Sequence, residues 1–383
     1  MKRLLYSVFI INCSLFILFG CTKPLTLQVS NPSLLERNNT LAEISLADLG
    51  LTASDLQHKR LCNEQGKEIP CQLMYYGDTE PQSLVFMVDN IRGGMRREYH
   101  FRVRKPSPVP VVCTAQFVPE RKDDFAWEND LAAYRMYGPA LAPENPSNGV
   151  DLWLKCTAEP IVAKFYDDDL HNGKPYHVNY GQGLDCYKVA HTLGCGGIAP
   201  YIDGKLCIGD HFTSWEIIEQ GGLRTCFRLT YPTHTLTITC DAGSPLNKAE
   251  VQVNVNASTI HQLAAGIWLH GKIDNVTFSQ ESGWAAYAED AVSDGGEPQG
   301  RNYCAVYIPN AKEIKVEDNH LLVISDSIDN SITDSSTHQL TYWFGGGWSQ
   351  WQFANDADWF SAVSQAANTA LLPLRVRVLN GSD

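Results

Sequence analysis

The chain has 383 residues, of which 44% are apolar and 19% charged, a balance that excludes intrinsic disorder, collagen-like repeats and a polytopic membrane protein. Asp and Glu (43) outnumber Lys and Arg (30), and the net charge of −13 argues against a general nucleic-acid binder. With Gly 29, Pro 19, Trp 9, Tyr 16 and Phe 14, the composition fits a turn-rich β protein better than a helical bundle.

Lys2 and Arg3 precede an apolar run from Leu4 to Gly20, the pattern of a signal peptide covering residues 1–20. As a helix this run rises about 25 Å, marginal for a bilayer core of about 30 Å. It ends at Leu18-Phe19-Gly20-Cys21, which resembles a bacterial lipobox in which Cys21 is lipidated. An acylated Cys21 places the protein in the cell envelope, anchored to the outer membrane. Loss of Lys2 and Arg3 with the leader leaves a net charge of −15. Export also permits disulfides among the ten cysteines that remain beside Cys13 and Cys21. Cys62 and Cys71, flanking a turn at Asn63–Lys67, are the best candidate pair; free, small core thiols are the other reading. No Cys/His spacing suits a structural zinc.

Residues 21–110 read as a small immunoglobulin-like β-sandwich and its linker. Leu25–Val29 alternates, Leu84–Val88 is a buried run, and Tyr99, Phe101 and Val103 alternate with His100, Arg102 and Arg104. The basic window Arg92–Lys105 reads as the solvated face of a strand and a turn, with a polyanion patch as the alternative. Lys105–Pro110 is a stiff linker.

Residues 111–383 carry longer strands: Ile161–Tyr166, Cys226–Leu229, Thr235–Thr239, Val251–Val255, Gly266–His270, Cys304–Ile308, Leu321–Ile324 and Leu374–Leu379. Trp359, Phe360, Val363, Ala366 and Ala367 recur at helical spacing and predict a helix over Asp356–Leu371. The whole is expected to be mainly β, a large double-layer sandwich with few helices. Asp167-Asp168-Asp169 lacks EF-hand spacing and reads as a solvated turn. Calcium is the one cofactor it leaves open.

Three windows mix polar groups with aromatics, as a sugar site requires: rings stack on pyranose faces while charged and amide groups take carboxylates and hydroxyls. The first, Arg121–Pro139, contains Asp123, Asp124, Trp127, Glu128, Asn129, Tyr134 and Arg135. Its carboxylates suit acid/base work or a loop held by Arg121 and Lys122. The second, Tyr176–Gly197, contains His177, Asn179, Tyr180, Asp185, Tyr187 and Lys188, with His191 and, further on, His211 as weaker proton carriers. The third, Tyr342–Trp351, sets Trp343, Trp348 and Trp351 around a triple glycine, as a stacking wall or as core beneath the following helix.

These windows, with Gly149–Trp153, resemble a secreted bacterial family, domain of unknown function 4861, over roughly residues 25–380. One departure is Ala190-His191, where that pattern leads one to expect a glycine and a different polar residue. The resemblance implies a β-supersandwich like that of galactose mutarotases, and a lyase or dehydratase acting on uronate-containing oligosaccharides. It implies no catalytic set, so roles follow from chemistry. Elimination beside a uronate needs a carboxylate clamp (Arg135, Asn129), a base (His177) and an acid (Tyr187), with Lys188 in reserve. Trp127, Glu128, Asp185, Trp348 and Trp351 are expected to bind substrate. The rival readings are a glycoside hydrolase with Asp124 or Glu128 as acid, and a non-catalytic glycan-binding lipoprotein.

Overall fold

A computed structural model describes residues 25–254, 260–271, 275–328 and 339–379; the leader and Cys21 lie outside the described residues. Strict alternation builds the first body. Leu27 and Val29 turn inward from Thr26–Ser30, as do Tyr99 and Phe101 from Arg96–Val103, while their neighbours face solvent. A sheet ordered Arg375–Leu379, Thr26–Ser30, Arg96–Val103, Lys59–Asn63 encloses a core with a second sheet ordered Arg37–Ser45, Ser83–Ile91, Cys71–Met74.

The strand Arg375–Leu379 corrects an expectation. Sequence places it in the larger sandwich, but it lies antiparallel on Thr26–Ser30, from Thr26↔Leu379 to Ser30↔Arg375. Val376 and Val378 pack on the small core while Arg375 and Arg377 are exposed. Such a half-polar strand suits an edge with one wet face, not a sheet buried on both sides.

The Cys62–Cys71 bridge is likewise not formed, and both are free thiols. The Asn63–Lys67 turn is present, but Cys62 and Cys71 belong to strands of different sheets, and the Cys71 thiol donates to the Ile69 carbonyl at 3.3 Å. The ten cysteines of the described residues are all unbridged.

Two large sheets form the second body. One runs Glu313–Glu317, His320–Ile324, Leu263–Trp268, His191–Ile202, Asn148–Lys155, Ala132–Met136, Asp124–Glu128, Thr114–Val118, with Gly183–Asp185 and Lys205–Leu206 attached at its flanks. The other runs Ser214–Gln220, Arg224–Thr230, His234–Asp241, Asn247–Val253, Gln339–Trp348, Pro298–Tyr307, Trp284–Val292, Val276–Ser279. Phe125, Trp127, Tyr134, Leu152, Phe227, Ile238, Tyr287, Phe344 and Trp348 fill the space between them. The mainly β double-layer architecture is therefore present.

Helices cover the outer faces. Asp356–Ala370, where periodicity places a helix, buries Trp359, Val363 and Ala367 against Tyr303, Ala305 and Ala286 of the eight-stranded sheet. Gly345 is required nearby because a Cβ there would stand 2.1 Å from the Pro245 carbonyl. Ile161–Tyr166, read as a strand, is instead the start of the helix Val162–His171. Val162, Phe165 and Tyr166 share one helical face, and so short an apolar run does not by itself distinguish strand from helix. Asp167-Asp168-Asp169 accordingly lies in this helix rather than in a turn, with Lys164 paired to Asp168 and His171 to Asp167.

Candidate functional site

Alternation also explains the polar layer beneath Val162–His171. In Asp124–Glu128, Ala132–Met136 and Asn148–Lys155, one set of residues fills the sandwich core. The other set, Asp124, Glu128, Arg135, Asp151 and Lys155 among them, points to the opposite face and is buried under the helix. Arg135 stands directly opposite Asp151, and Trp153 opposite Asp185.

Glu128 and Lys155 form a wholly buried pair at 2.7 Å. Glu128 also accepts the free N–H groups of Ile161 and Val162 at the helix start, and Lys155 donates to the Asn129 carbonyl. Asn129 itself closes the adjoining turn, binding the Asp241 and Ser244 carbonyls. Trp127 is core, its indole N–H on Asn247 at 3.2 Å. The substrate-binding roles expected of Trp127, Glu128 and Asn129 therefore do not fit their positions: each is buried, and its polar atoms have partners within the fold.

Arg135 is the hub of a second cluster. Its guanidinium reaches Asp151 at 2.5 Å, Asp185 at 2.9 Å and Asp124 at 3.5 Å, and donates to the hydroxyls of Tyr176 (3.0 Å) and Tyr137 (3.3 Å). It is 2% exposed, so it organises carboxylates of the protein and cannot clamp one from a ligand. Trp153 donates to Asp151 at 3.0 Å, and Arg121 to Tyr176 at 3.0 Å. Burial, reinforced by the charge of Asp151, pushes the Asp185 carboxyl well above the usual carboxylate range despite Arg135. Burial raises Asp124 too, against the pull of Arg135 and Arg121.

His177 stands where this cluster meets solvent. Its Nε2 lies 3.5 Å from Asp185, and its side chain is one-third exposed. Burial lowers its pKa below the ordinary histidine value, so the ring is neutral at pH 7. The first two windows thus meet at Asp185.

The segment from Asp185 to Lys188 then crosses to the rim of the sandwich. Tyr187 turns into the core and donates to the Trp268 carbonyl at 3.2 Å; burial holds its hydroxyl well above the ordinary range. That position contradicts its expected role as the acid. Lys188 is exposed and paired with Asp294 on the turn between Trp284–Val292 and Pro298–Tyr307. Next to it, Ala190 holds a left-handed φ of 51°, a conformation that favours glycine. His270 donates to the Lys188 carbonyl at 2.6 Å and pairs through Nδ1 with the buried Glu289 at 2.9 Å. Burial opposes a charged His270, but Glu289 more than offsets it and raises the pKa. Glu289 is itself held by Tyr287 and Asn302.

The third window touches the second through Gln299, which accepts from Asn179 at 3.2 Å and whose carbonyl accepts the Trp348 indole N–H at 2.5 Å. Trp348 is 1% exposed, so it supports this rim from below and is not a stacking wall. Trp351 is half-buried, with its N–H on the Asp130 carbonyl at 2.8 Å. Of the weaker candidates, His191 is exposed and His211 bonds the Ser147 carbonyl.

Asp151, His270, Glu289 and Asp294 escaped the sequence reading. Asp151, a lone acid in the apolar run Gly149–Leu154, carries a usable signal. Nothing local to His270 or Glu289 announces their pairing across 19 residues.

A cavity of about 890 Å³ opens elsewhere, along Met136, Gly149, Thr192, Tyr231 and His234. Its described lining has no Lys or Arg, whereas the His177–Lys188 rim carries both a histidine and a lysine.

The profile of a family described as Domain of unknown function (DUF4861) matches residues 29–376. The chain belongs to this family. A relative from Formosa agariphila, named uncharacterized protein P7, is 27% identical over 292 residues, 70% of each chain. Among solved structures, an α-mannosidase from Enterococcus faecalis V583 aligns with 93% of this chain and 46% of its own, at 9% identity and a TM-score of 0.50. A glycosyl hydrolase family 38 protein of Enterococcus faecalis aligns with 93% of this chain and 47% of its own, at 8% identity and a TM-score of 0.49. The chain spans about half the length of those two structures. At 9% identity the likeness to the α-mannosidase is one of fold.

Proposed function

We propose that this member of the family is a carbohydrate-active lipoprotein of the cell envelope that eliminates across a uronic-acid unit of short oligosaccharides. The observation that carries this reading is His177 resting on Asp185 at the mouth of the buried Asp151–Arg135–Asp185 frame, with Lys188 close by. The neutral ring takes the proton beside the substrate carboxylate, and the neighbouring C–O bond breaks as a C=C bond forms. The ring then returns the proton to the departing oxygen. Asp185, 3.5 Å from Nε2, fixes the orientation of the ring. Lys188 exchanges Asp294 for the substrate carboxylate, and His270, itself paired with Glu289, holds the Lys188 backbone in place. A net charge of −15 repels long polyanions, which favours short substrates met by local cations.

The hydrolase alternative loses support from Glu128, which is tied to Lys155 and a helix end, and from Asp124, which is wholly buried. Incubation with saturated and unsaturated uronate oligosaccharides, read by mass spectrometry, tests the proposal. Loss of one water mass means dehydration, chain shortening with a new double bond means cleavage by elimination, and gain of water means hydrolysis. No change with retained binding means a glycan-binding protein. His177→Ala is expected to lower turnover by about 10²-fold or more while leaving binding largely intact. Full activity in that variant overturns the mechanism. The rate should also fall on acidification, with its acid limb below about 6.5, because burial depresses the His177 pKa.

A further inference from the structure

The basic window Arg92–Lys105 is not absorbed by the site above, and the fold gives it company. The core-facing residues of the four-stranded sheet are Leu27, Val29, Leu61, Tyr99, Phe101, Val376 and Val378. Its opposite face therefore carries Arg60, Arg96, Arg102, Arg375 and Arg377, and Arg104 continues the Arg96–Val103 strand beyond its end. Register sets Arg96 and Arg375 on either side of Ser30, and Arg60 directly opposite Arg102. Arg377 bonds Gln28 at 3.1 Å, confirming the row.

The acids on or beside this face are Glu98, Glu64 and Glu68, and Glu68 is already paired with Arg60 at 3.2 Å. Arg96, Arg102, Arg104, Arg375 and Arg377 are all exposed and make no ion pair among the described residues. Six arginines against three glutamates stand out on a chain whose net charge is −13. The contribution of Arg375 and Arg377 comes from the far end of the chain, so the patch exists only once the last strand has docked.

We infer that this arginine face is a docking surface for anionic lipid headgroups, holding the small sandwich against the membrane to which Cys21 is attached. The inference rests on the lipoprotein reading for its geometry. Thr26 starts a central strand of this sheet five residues after Cys21, a span of at most about 17 Å. An acyl chain on Cys21 therefore keeps the face within reach of the headgroup layer, where guanidinium groups meet phosphate in bidentate geometry.

The test uses the chain from Thr22 to Asp383, which keeps every described residue and carries no acyl group, so its outcome is independent of whether Cys21 is lipidated. Co-sedimentation with phosphatidylglycerol/phosphatidylcholine vesicles at low salt should show binding that pure phosphatidylcholine does not. The triple variant Arg96→Gln, Arg375→Gln, Arg377→Gln should bind about a hundredfold more weakly, at roughly fivefold per arginine. The corresponding triple Arg→Lys variant, which keeps the charge, should retain most of the binding and serves as the control for folding. About 0.5 M salt should release the protein, since the Debye length then falls well under 10 Å. Equal binding to neutral vesicles, or an unchanged triple Gln variant, overturns the inference. So does an arginine-dependent affinity for soluble polygalacturonate with none for anionic vesicles, which assigns the face to polysaccharide.

Discussion

Replacing Arg135 by Met isolates the energetics of the buried frame. The substitution keeps an unbranched apolar stem of similar length but removes the cation shared by Asp124, Asp151 and Asp185, whose side chains are 0–5% exposed. Removing one partner of a buried ion pair typically costs about 3–5 kcal/mol, chiefly because a charge is left uncompensated. That is a large part of the roughly 5–15 kcal/mol that holds a domain folded. The loss must also depend on pH. Asp124 and Asp185 already have raised folded values, so each favours its protonated form in the native state. Each therefore weakens the fold as pH rises above the unfolded carboxylate value of about 3.9. Without Arg135 those values rise further, so the deficit of the variant is largest at pH 7–8 and shrinks towards pH 4. Urea unfolding of both proteins at pH 7.5 and pH 4.5 measures this directly. A deficit below about 1 kcal/mol at pH 7.5, or one that is the same at both pH values, refutes the argument that uncompensated carboxylates dominate.

Glu289→Gln removes the partner that raises the His270 pKa. The stabilisation from this pair is complete below the unfolded histidine value of about 6.5 and is lost as pH rises through the raised folded value. The variant should therefore be most destabilised near pH 6, and the His270 ring should titrate lower by NMR. Deleting residues 375–383 strips Val376 and Val378 from the small core and leaves Thr26–Ser30 as an edge. A loss of about 2 kcal/mol is expected from two half-buried valines and newly exposed neighbours, read as faster proteolysis of the small sandwich than of the large one. Cys21→Ser should move the expressed protein out of the detergent phase on Triton X-114 partition; unchanged partition refutes lipidation.

The periods of the elements can be read directly from the order of residues. Alternation in Leu25–Val29 and Tyr99–Val103 marks half-buried strands, and the recurrence of Trp359, Val363 and Ala367 marks a helix, because each element must turn one face to a core. The residue types of the site were also legible: His177, Asp185 and Lys188 stand within twelve positions, and Arg135 lies in a window already rich in carboxylates. Tertiary structure decided which of these groups are available. Glu128, Asn129 and Arg135 look like ligands for a sugar in one dimension, yet Glu128 and Arg135 are buried in ion pairs beneath the helix Val162–His171 and Asn129 is spent on the carbonyls of the Asp241–Ser244 turn. Trp348 and Tyr187 are likewise buried by distant partners: their polar atoms bond the Gln299 and Trp268 carbonyls, 49 and 81 residues away in the chain. The ten-stranded sheet is packed on both sides, so apolar runs there cease to alternate visibly and polar residues at Asp124 and Asp151 become interior. The pairing of Thr26–Ser30 with Arg375–Leu379 depends on shape and edge complementarity between opposite ends of the chain, which no local pattern encodes.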